Sequence, residues 1–217
     1  MRYWSRSAIG WPRMANALPN AAHIALAHLE RAGVISGIIT QNVDGLHHAA
    51  GSSRVIELHG ALADVRCLAC DTRGTRADYQ VRLLDANPGW LEQVNAAAAH
   101  AAPDGDVEIP DADAASFIVP ECAACGGIIK PDVVFFGENV PRARVEDAWR
   151  LFDDADILLV TGSSLTVYSG RRFIHRAAEN GKPLPAADEK TAEKAPAIGV
   201  WMIGRPLALP RVSVPPD

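Results

Sequence analysis

Val34-Ile35-Ser36-Gly37-Ile38-Ile39-Thr40-Gln41-Asn42-Val43-Asp44 opens as a β-branched run and closes on polar side chains. The run over residues 34–40 has the composition of a strand buried on both faces. A helix over residues 21–32 precedes it, capped by Asn20, with Ile24, Leu26 and Leu29 among its apolar positions and Gly33 as its stop. Residues 54–58 read as a shorter strand that ends at His59-Gly60. Residues 133–136 read as extended, and residues 144–152 as a helix with Val145, Trp149 and Phe152 on its apolar face. A short buried strand over residues 157–160 leads to Gly162-Ser163-Ser164, and Ser169 starts a helix towards Gly181. Strands alternating with helices, without hairpin signals, predict an α/β fold with a parallel sheet covered by helices.

The composition fits an ordinary soluble globular chain of 217 residues, 48% hydrophobic and 22% charged. A net charge of -5 without a dense basic run argues against a nucleic-acid surface beyond a local patch. No apolar stretch has the length of a membrane helix, and the first residues lack the apolar core of a signal peptide. The expectation is a cytoplasmic monomer with no nucleic-acid or membrane partner.

The four cysteines fall in two pairs, Cys67/Cys70 and Cys122/Cys125, each a C-x2-C knuckle. Without a secretion signal this pattern favours metal ligation, with redox or disulfide cysteines as the alternatives. Four thiolates close a tetrahedral shell around Zn2+ and leave no position for water, which predicts one structural zinc. The 51 residues between Cys70 and Cys122 require an insert between the knuckles. An alanine-rich stretch over residues 96–102 and an Asp/Pro-rich stretch over residues 104–113 supply it.

In a parallel sheet, ligands bind beyond the carboxyl ends of strands. Gln41, Asn42 and Asp44 occupy such a place and suit a ribose or carboxamide, although an Asn/Asp turn explains them equally well. Gly162, Ser163 and Ser164 occupy another, where small residues let backbone N–H groups reach a phosphate or ribose. His59 also lies at a strand end, where a general base or a structural imidazole fits. His47 and His48 read as structural, and His23 and His28 as surface positions on a helix.

In this order, Gln41-Asn42-Val43-Asp44, Leu46-His47, Glu57-Leu58-His59-Gly60, the two cysteine pairs, Lys130-Pro131-Asp132-Val133-Val134-Phe135-Phe136-Gly137-Glu138 and Gly162-Ser163-Ser164-Leu165 resemble the sirtuin (Sir2) family. The resemblance covers roughly residues 2–183, and the long insert is most similar to the class II branch, which includes the sirtuin 4 type. It implies an NAD-dependent protein-lysine deacylase that yields nicotinamide, free lysine and O-acyl-ADP-ribose. His59 would be the general base, Gln41, Asn42 and Asp44 the nicotinamide and ribose contacts, and Gly162, Ser163 and Ser164 the adenosine-side contacts. Val133, Val134, Phe135, Phe136, Gly137 and Glu138 would pair with an acyl-lysine peptide or protein as an added strand. Tyr3 and Arg6 fit the Tyr-x-x-Arg spacing with which one branch holds an acidic acyl group. A eukaryotic source would make the location mitochondrial.

The implied organisation is a Rossmann-like NAD-binding domain over residues 1–60 and 131–182, with residues 1–33 helical. A zinc module spans residues 61–130, and an irregular, proline-rich tail spans 183–217, where only residues 198–203 suit a strand. The family's first strand and its Gly-Ala-Gly-x-Ser turn have no counterpart here, and neither has its adenosine-side strand after Pro183. The expectation is a fragment, or a frame-disrupted reading, of a longer protein, with unpaired backbone where the central strand belongs. Two alternatives stand beside deacylation: an inactive zinc-stabilised remnant, and ADP-ribosyl transfer to protein.

Overall fold

The computed structural model describes residues 2–95, 111–162, 168–183 and 200–204. In chain order these residues form α1 (Arg2–Ala15), α2 (Ala21–Arg31), β1 (Ile35–Thr40), α3 (Leu46–Ala49), β2 (Val55–Glu57) and β3 (Gly60–Cys67). They continue with β4 (Arg73–Thr75), α4 (Arg76–Ala86), α5 (Trp90–Asn95), α6 (Asp111–Ser116) and β5 (Ile129–Val133). The last elements are α7 (Arg142–Asp153), β6 (Ile157–Thr161), α8 (Tyr168–Glu179) and β7 (Val200–Gly204). None of these helices is long and apolar enough to cross a membrane. The chain divides into two compact units, one of residues 1–18, 43–46 and 60–136, the other of residues 19–42, 47–59 and 137–217.

The second unit carries a Rossmann-like sheet in the order β2-β1-β7-β6. β1 and β2 are parallel, and β7 runs antiparallel to both β1 and β6, so β1, β2 and β6 share one direction. The alternation along each strand shows why the β1 run must be apolar throughout. Ile38, Val55 and Leu159 face the cluster holding Leu26 of α2, whereas Ile39, Ile56 and Leu158 face Leu151, Phe152 and Phe173 of α7 and α8. Both faces are thus covered by helices, and Ile38 and Ile39 are fully buried.

Asn20 caps α2 through its side-chain oxygen, which accepts from Ala22 and His23 N–H. At the other end Gly33 adopts φ 73°, and Gly33 N–H and Val34 N–H return to Glu30 and Leu29 carbonyls. This is a Schellman closure, and it turns the chain into β1. His23 is buried, not on the surface as its helical setting implied. It completes the Asn20 capping box, and its ring packs 4.7 Å from that of His47. Ile24 and Leu29, expected on the apolar face, are exposed.

Gly37 is required within β1 by close packing. A Cβ there would lie 2.9 Å from the Arg54 carbonyl oxygen and 2.9 Å from both Leu151 methyls. Gly37→Ala is therefore expected to lower the unfolding free energy by about 1–3 kcal/mol. Denaturant unfolding checks this: the midpoint falls at unchanged slope, and an unmoved midpoint would contradict the packing.

Two features differ from the sequence expectation. The sheet was expected to lack a central strand, and the tail to be irregular apart from a strand over residues 198–203. Instead, Val200–Gly204 enters between β1 and β6 and supplies their hydrogen-bond partners. The apolar run over residues 198–203 was legible as a strand, but its place between β1 and β6 was not. Secondly, α1 groups with the cysteine-bearing unit, not with the Rossmann-like part. Trp4 and Ala8 sit in one apolar cluster with Val65, Tyr79, Leu83, Trp90, Phe117 and Ile129, and Trp4 Nε1 donates to the Ile129 carbonyl at 3.0 Å.

That unit is built on an antiparallel sheet, β4-β3-β5. The β3–β4 hairpin has no Asn-Gly signal because the first cysteine knuckle is itself the turn. Arg76 lies buried against the faces of Trp4 and Trp11, 5.2 and 4.9 Å from their centroids, and donates to the Ser7 carbonyl and hydroxyl. Burial pushes its guanidinium down to about 10, still charged at neutral pH. The alanine-rich stretch at 96–102 and most of the Asp/Pro-rich stretch lie outside the described residues.

Candidate functional site

The two knuckles are near copies of one another. Cys67 N–H bonds the Thr72 carbonyl, Asp71 N–H bonds the Cys67 carbonyl, and Asp71 takes the left-handed φ of 55°. Cys122 N–H bonds the Gly127 carbonyl, Gly126 N–H bonds the Cys122 carbonyl, and Gly126 takes φ 71°. A bond from Leu68 N–H to the Ile128 carbonyl ties one knuckle to the other. The result brings Cys67, Cys70, Cys122 and Cys125 together with all four sulfurs within 4.8 Å. Cys67 lies 3.5 Å from Cys125 and Cys70 3.8 Å from Cys122. A tetrahedron with Zn–S bonds of ~2.3 Å has edges of about 3.8 Å, so the donor set and its spacing fit zinc.

The electrostatics agree. The Thr72 hydroxyl and N–H hold the Cys70 thiol down at about 6, while hydrogen bonding to Cys70 pushes Cys125 up to about 12. Four sulfurs this close cannot all be thiolates unless a cation neutralises them. No fifth donor approaches from the described residues, which marks a closed, structural centre.

The second constellation lies wholly within the Rossmann-like unit. Gln41 follows β1, His59 follows β2, and Ser169 stands in the first turn of α8. His59 Nε2 is 2.7 Å from Ser169 Oγ, and Gln41 Nε2 donates to the same oxygen at 3.1 Å. Ser169 is 8% exposed. Burial depresses the His59 imidazole below its ordinary value; a hydrogen bond to the Gln41 backbone opposes this, and the charges of Arg144 and Arg172 add to it. A neutral imidazole at physiological pH, at the carboxyl end of a strand, is suited to accept a proton. Asn42, the residue after Gln41, has its Nδ2 buried with no hydrogen-bond partner among the described residues. Such a donor is costly unless a ligand satisfies it.

The remaining sequence-predicted residues are placed less tightly. Asp44 accepts from Leu46 N–H and starts α3, the turn reading, and belongs to the cysteine-bearing unit. Gly162 ends β6 with φ 63°, while Ser163 and Ser164 lie outside the described residues. The stretch expected to be extended over 133–136 is shorter: β5 stops at Val133, and Gly137 then turns the chain at φ 88°. Phe135 packs on Tyr3 with centroids 5.2 Å apart, and Phe136 is 99% exposed. Glu138 is exposed in the loop that leads to α7. Tyr3 and Arg6 do share a site. They line a cavity of about 520 Å³ in the cysteine-bearing unit together with Arg2, Trp11, Arg76 and Phe136. Ser169, which bridges Gln41 and His59, was not singled out in the sequence, since a serine opening a helix carries no motif of its own.

The pattern of the Sir2 family matches residues 1–169 of this chain. The chain belongs to the Sir2 family. Relatives within it include the NAD-dependent protein deacetylase of Xanthomonas axonopodis pv. citri, 56% identical over 85% of this chain and 62% of that protein. The NAD-dependent protein deacetylase of Bordetella bronchiseptica is 52% identical over 85% of this chain and 66% of that protein. Among solved structures, Sir2Tm bound to a propionylated peptide aligns with TM-score 0.62 and 33% identity over 80% of this chain and 60% of that one. A Sir2 complex with 2′-O-acetyl-ADP-ribose and a deacetylated p53 peptide aligns at TM-score 0.61 with 33% identity, over 80% of this chain and 61% of that one. This Sir2-family chain therefore spans a little over three-fifths of the length of the Xanthomonas relative.

Proposed function

We propose that this Sir2-family protein is an NAD-dependent protein-lysine deacylase. The observation that carries the reading is His59, a half-buried, neutral imidazole joined through Ser169 to Gln41 at the carboxyl ends of the strands. NAD supplies an activated ribose whose nicotinamide bond breaks when the acyl-lysine oxygen attacks. His59 is the base that takes the ribose hydroxyl proton. The unpartnered Asn42 Nδ2 gives a carboxamide or ribose oxygen a donor in a dry setting. Gly162 and its neighbours Ser163 and Ser164 are the adenosine-side contacts. Val133 to Glu138 offer backbone to an extended peptide, and the class II placement rests on this segment and the insert before it. Within the cysteine-bearing unit, the cavity beside Tyr3 and Arg6 is lined by three guanidinium groups, a lining that suits a carboxylate.

The test incubates the zinc-loaded chain with NAD and acetyl- or succinyl-lysine peptides and follows products by mass spectrometry. Peptide-dependent nicotinamide, free lysine and O-acyl-ADP-ribose in equal amounts are expected, with the succinyl peptide turned over faster. ADP-ribose attached to protein in place of O-acyl-ADP-ribose would redirect the reading to ADP-ribosyl transfer. Absence of NAD turnover by the folded chain would leave a non-catalytic, zinc-stabilised module.

A further inference from the structure

We propose that Ser169 is a positioning residue that holds His59 in its Nδ1-protonated tautomer and ties the imidazole to the Gln41 carboxamide. The role rests on the deacylase reading for its purpose, but not for its geometry. The three residues come from three separate elements of one unit, so their convergence is a property of the fold and not of a local turn.

The directions of the hydrogen bonds follow from donor chemistry. The Gln41 amide nitrogen only donates, so Ser169 Oγ accepts from it at 3.1 Å. The hydroxyl hydrogen is then free for the second partner, His59 Nε2, at 2.7 Å. A serine oxygen can accept twice, or accept once and donate once; the second arrangement, which leaves Nε2 unprotonated, is the one assigned here. In the neutral ring the proton then sits on Nδ1. At 8% exposure, Ser169 is shielded from competing water.

Two consequences follow. The tautomer is fixed with the Nε2 lone pair held by the Ser169 hydroxyl, so a substrate hydroxyl reaches the base by displacing that hydrogen bond. A hydrogen bond donated to the neutral imidazole also resists its protonation. The cations facing His59, Arg144 of α7 and Arg172 of α8, act in the same sense, while the Gln41 backbone opposes them.

Long-range ¹H–¹⁵N NMR of the histidine rings in the 217-residue chain tests this, with His59 assigned by its loss in His59→Gln. The native chain is expected to show the Nδ1–H pattern alone. Ser169→Ala should raise the His59 titration midpoint by roughly 0.5–1 pH unit and mix the tautomers. Ser169→Thr, which keeps the hydroxyl, should restore both, and Ser169→Cys, a weak donor of similar size, should fall between. An unchanged midpoint and tautomer in Ser169→Ala, or a threonine variant that behaves like alanine, overturns the proposal. If the alanine variant fails to fold by thermal melting, the difference between Thr and Cys decides. The product assay reports separately: an inactive native chain with the Ser169 effect intact overturns the deacylase reading and leaves the positioning role standing.

Discussion

Replacing His59 with alanine is expected to slow deacylation by roughly 10²–10⁴-fold, the usual worth of a positioned general base. The loss should appear in kcat, because the imidazole acts on a proton in flight and not on the bound acyl chain. It should also remove the acid limb of the pH profile. In the native protein that limb reports His59 itself. Burial is the chief cause holding its pKa below the ordinary ~6.5, helped by the cations Arg144 and Arg172 and opposed by the Gln41 backbone. The neutral, proton-accepting form therefore persists to lower pH than in a free histidine. Activity should hold through neutral pH and fall only as the pH drops below about 6.5. An acid limb above that value, or one that survives in His59→Ala, would show that another group is the base. Folding is not expected to account for the loss. His59 is only half-buried and lies outside the apolar clusters, so melting temperature and zinc content should stay near native.

Some of this site was legible in the sequence and some was not, for reasons that differ by residue. The cysteines were legible because a two-residue spacing forces two sulfurs to one side of a turn, whatever the rest of the chain does. β1 was legible because burial on both faces requires an unbroken apolar run, and the run ended on Gln41 and Asn42. Ser169 was not, since its partners arrive from residues 41 and 59 and nothing near 169 announces them. His23 was misjudged for the same reason: helical periodicity gave no hint of the His47 ring that packs against it. The β3–β4 hairpin was hidden because a metal knuckle, not a glycine turn, reverses the chain. β7 was suspected only as the last apolar run in a proline-rich tail. Its central place depends on the gap between β1 and β6, which is a tertiary fact.

Removing the metal should have the second large effect, on the cysteine-bearing unit. Metal analysis of the native chain is expected to give about one zinc per chain, and Cys67→Ser close to none. Cys67 is 1% exposed and belongs to the apolar cluster that contains Trp4, Tyr79, Trp90 and Phe117. The metal ligand is thus also a core residue, and β3 ends on it. Structural zinc contributes on the order of 10–16 kcal/mol in small metal modules, as much as or more than the whole stability of a typical domain. The unit should not survive its loss. Packing around the knuckles leaves little room for collapse, since a Cβ on Gly127 would already lie 2.8 Å from the Cys67 sulfur. Chelation at neutral pH should therefore shift the fluorescence of Trp4 and Trp90 to the red, and one equivalent of zinc should reverse it. Affinity should weaken as the pH falls, because each bound thiol must first lose its proton, and Cys125 holds its own most strongly. A folded chain with near-zero zinc, or chelation without a change in tryptophan emission, would remove the structural role. Cys70→Ser should lose zinc as Cys67→Ser does but add no packing defect, because Cys70 is exposed and Cys67 lies in the core.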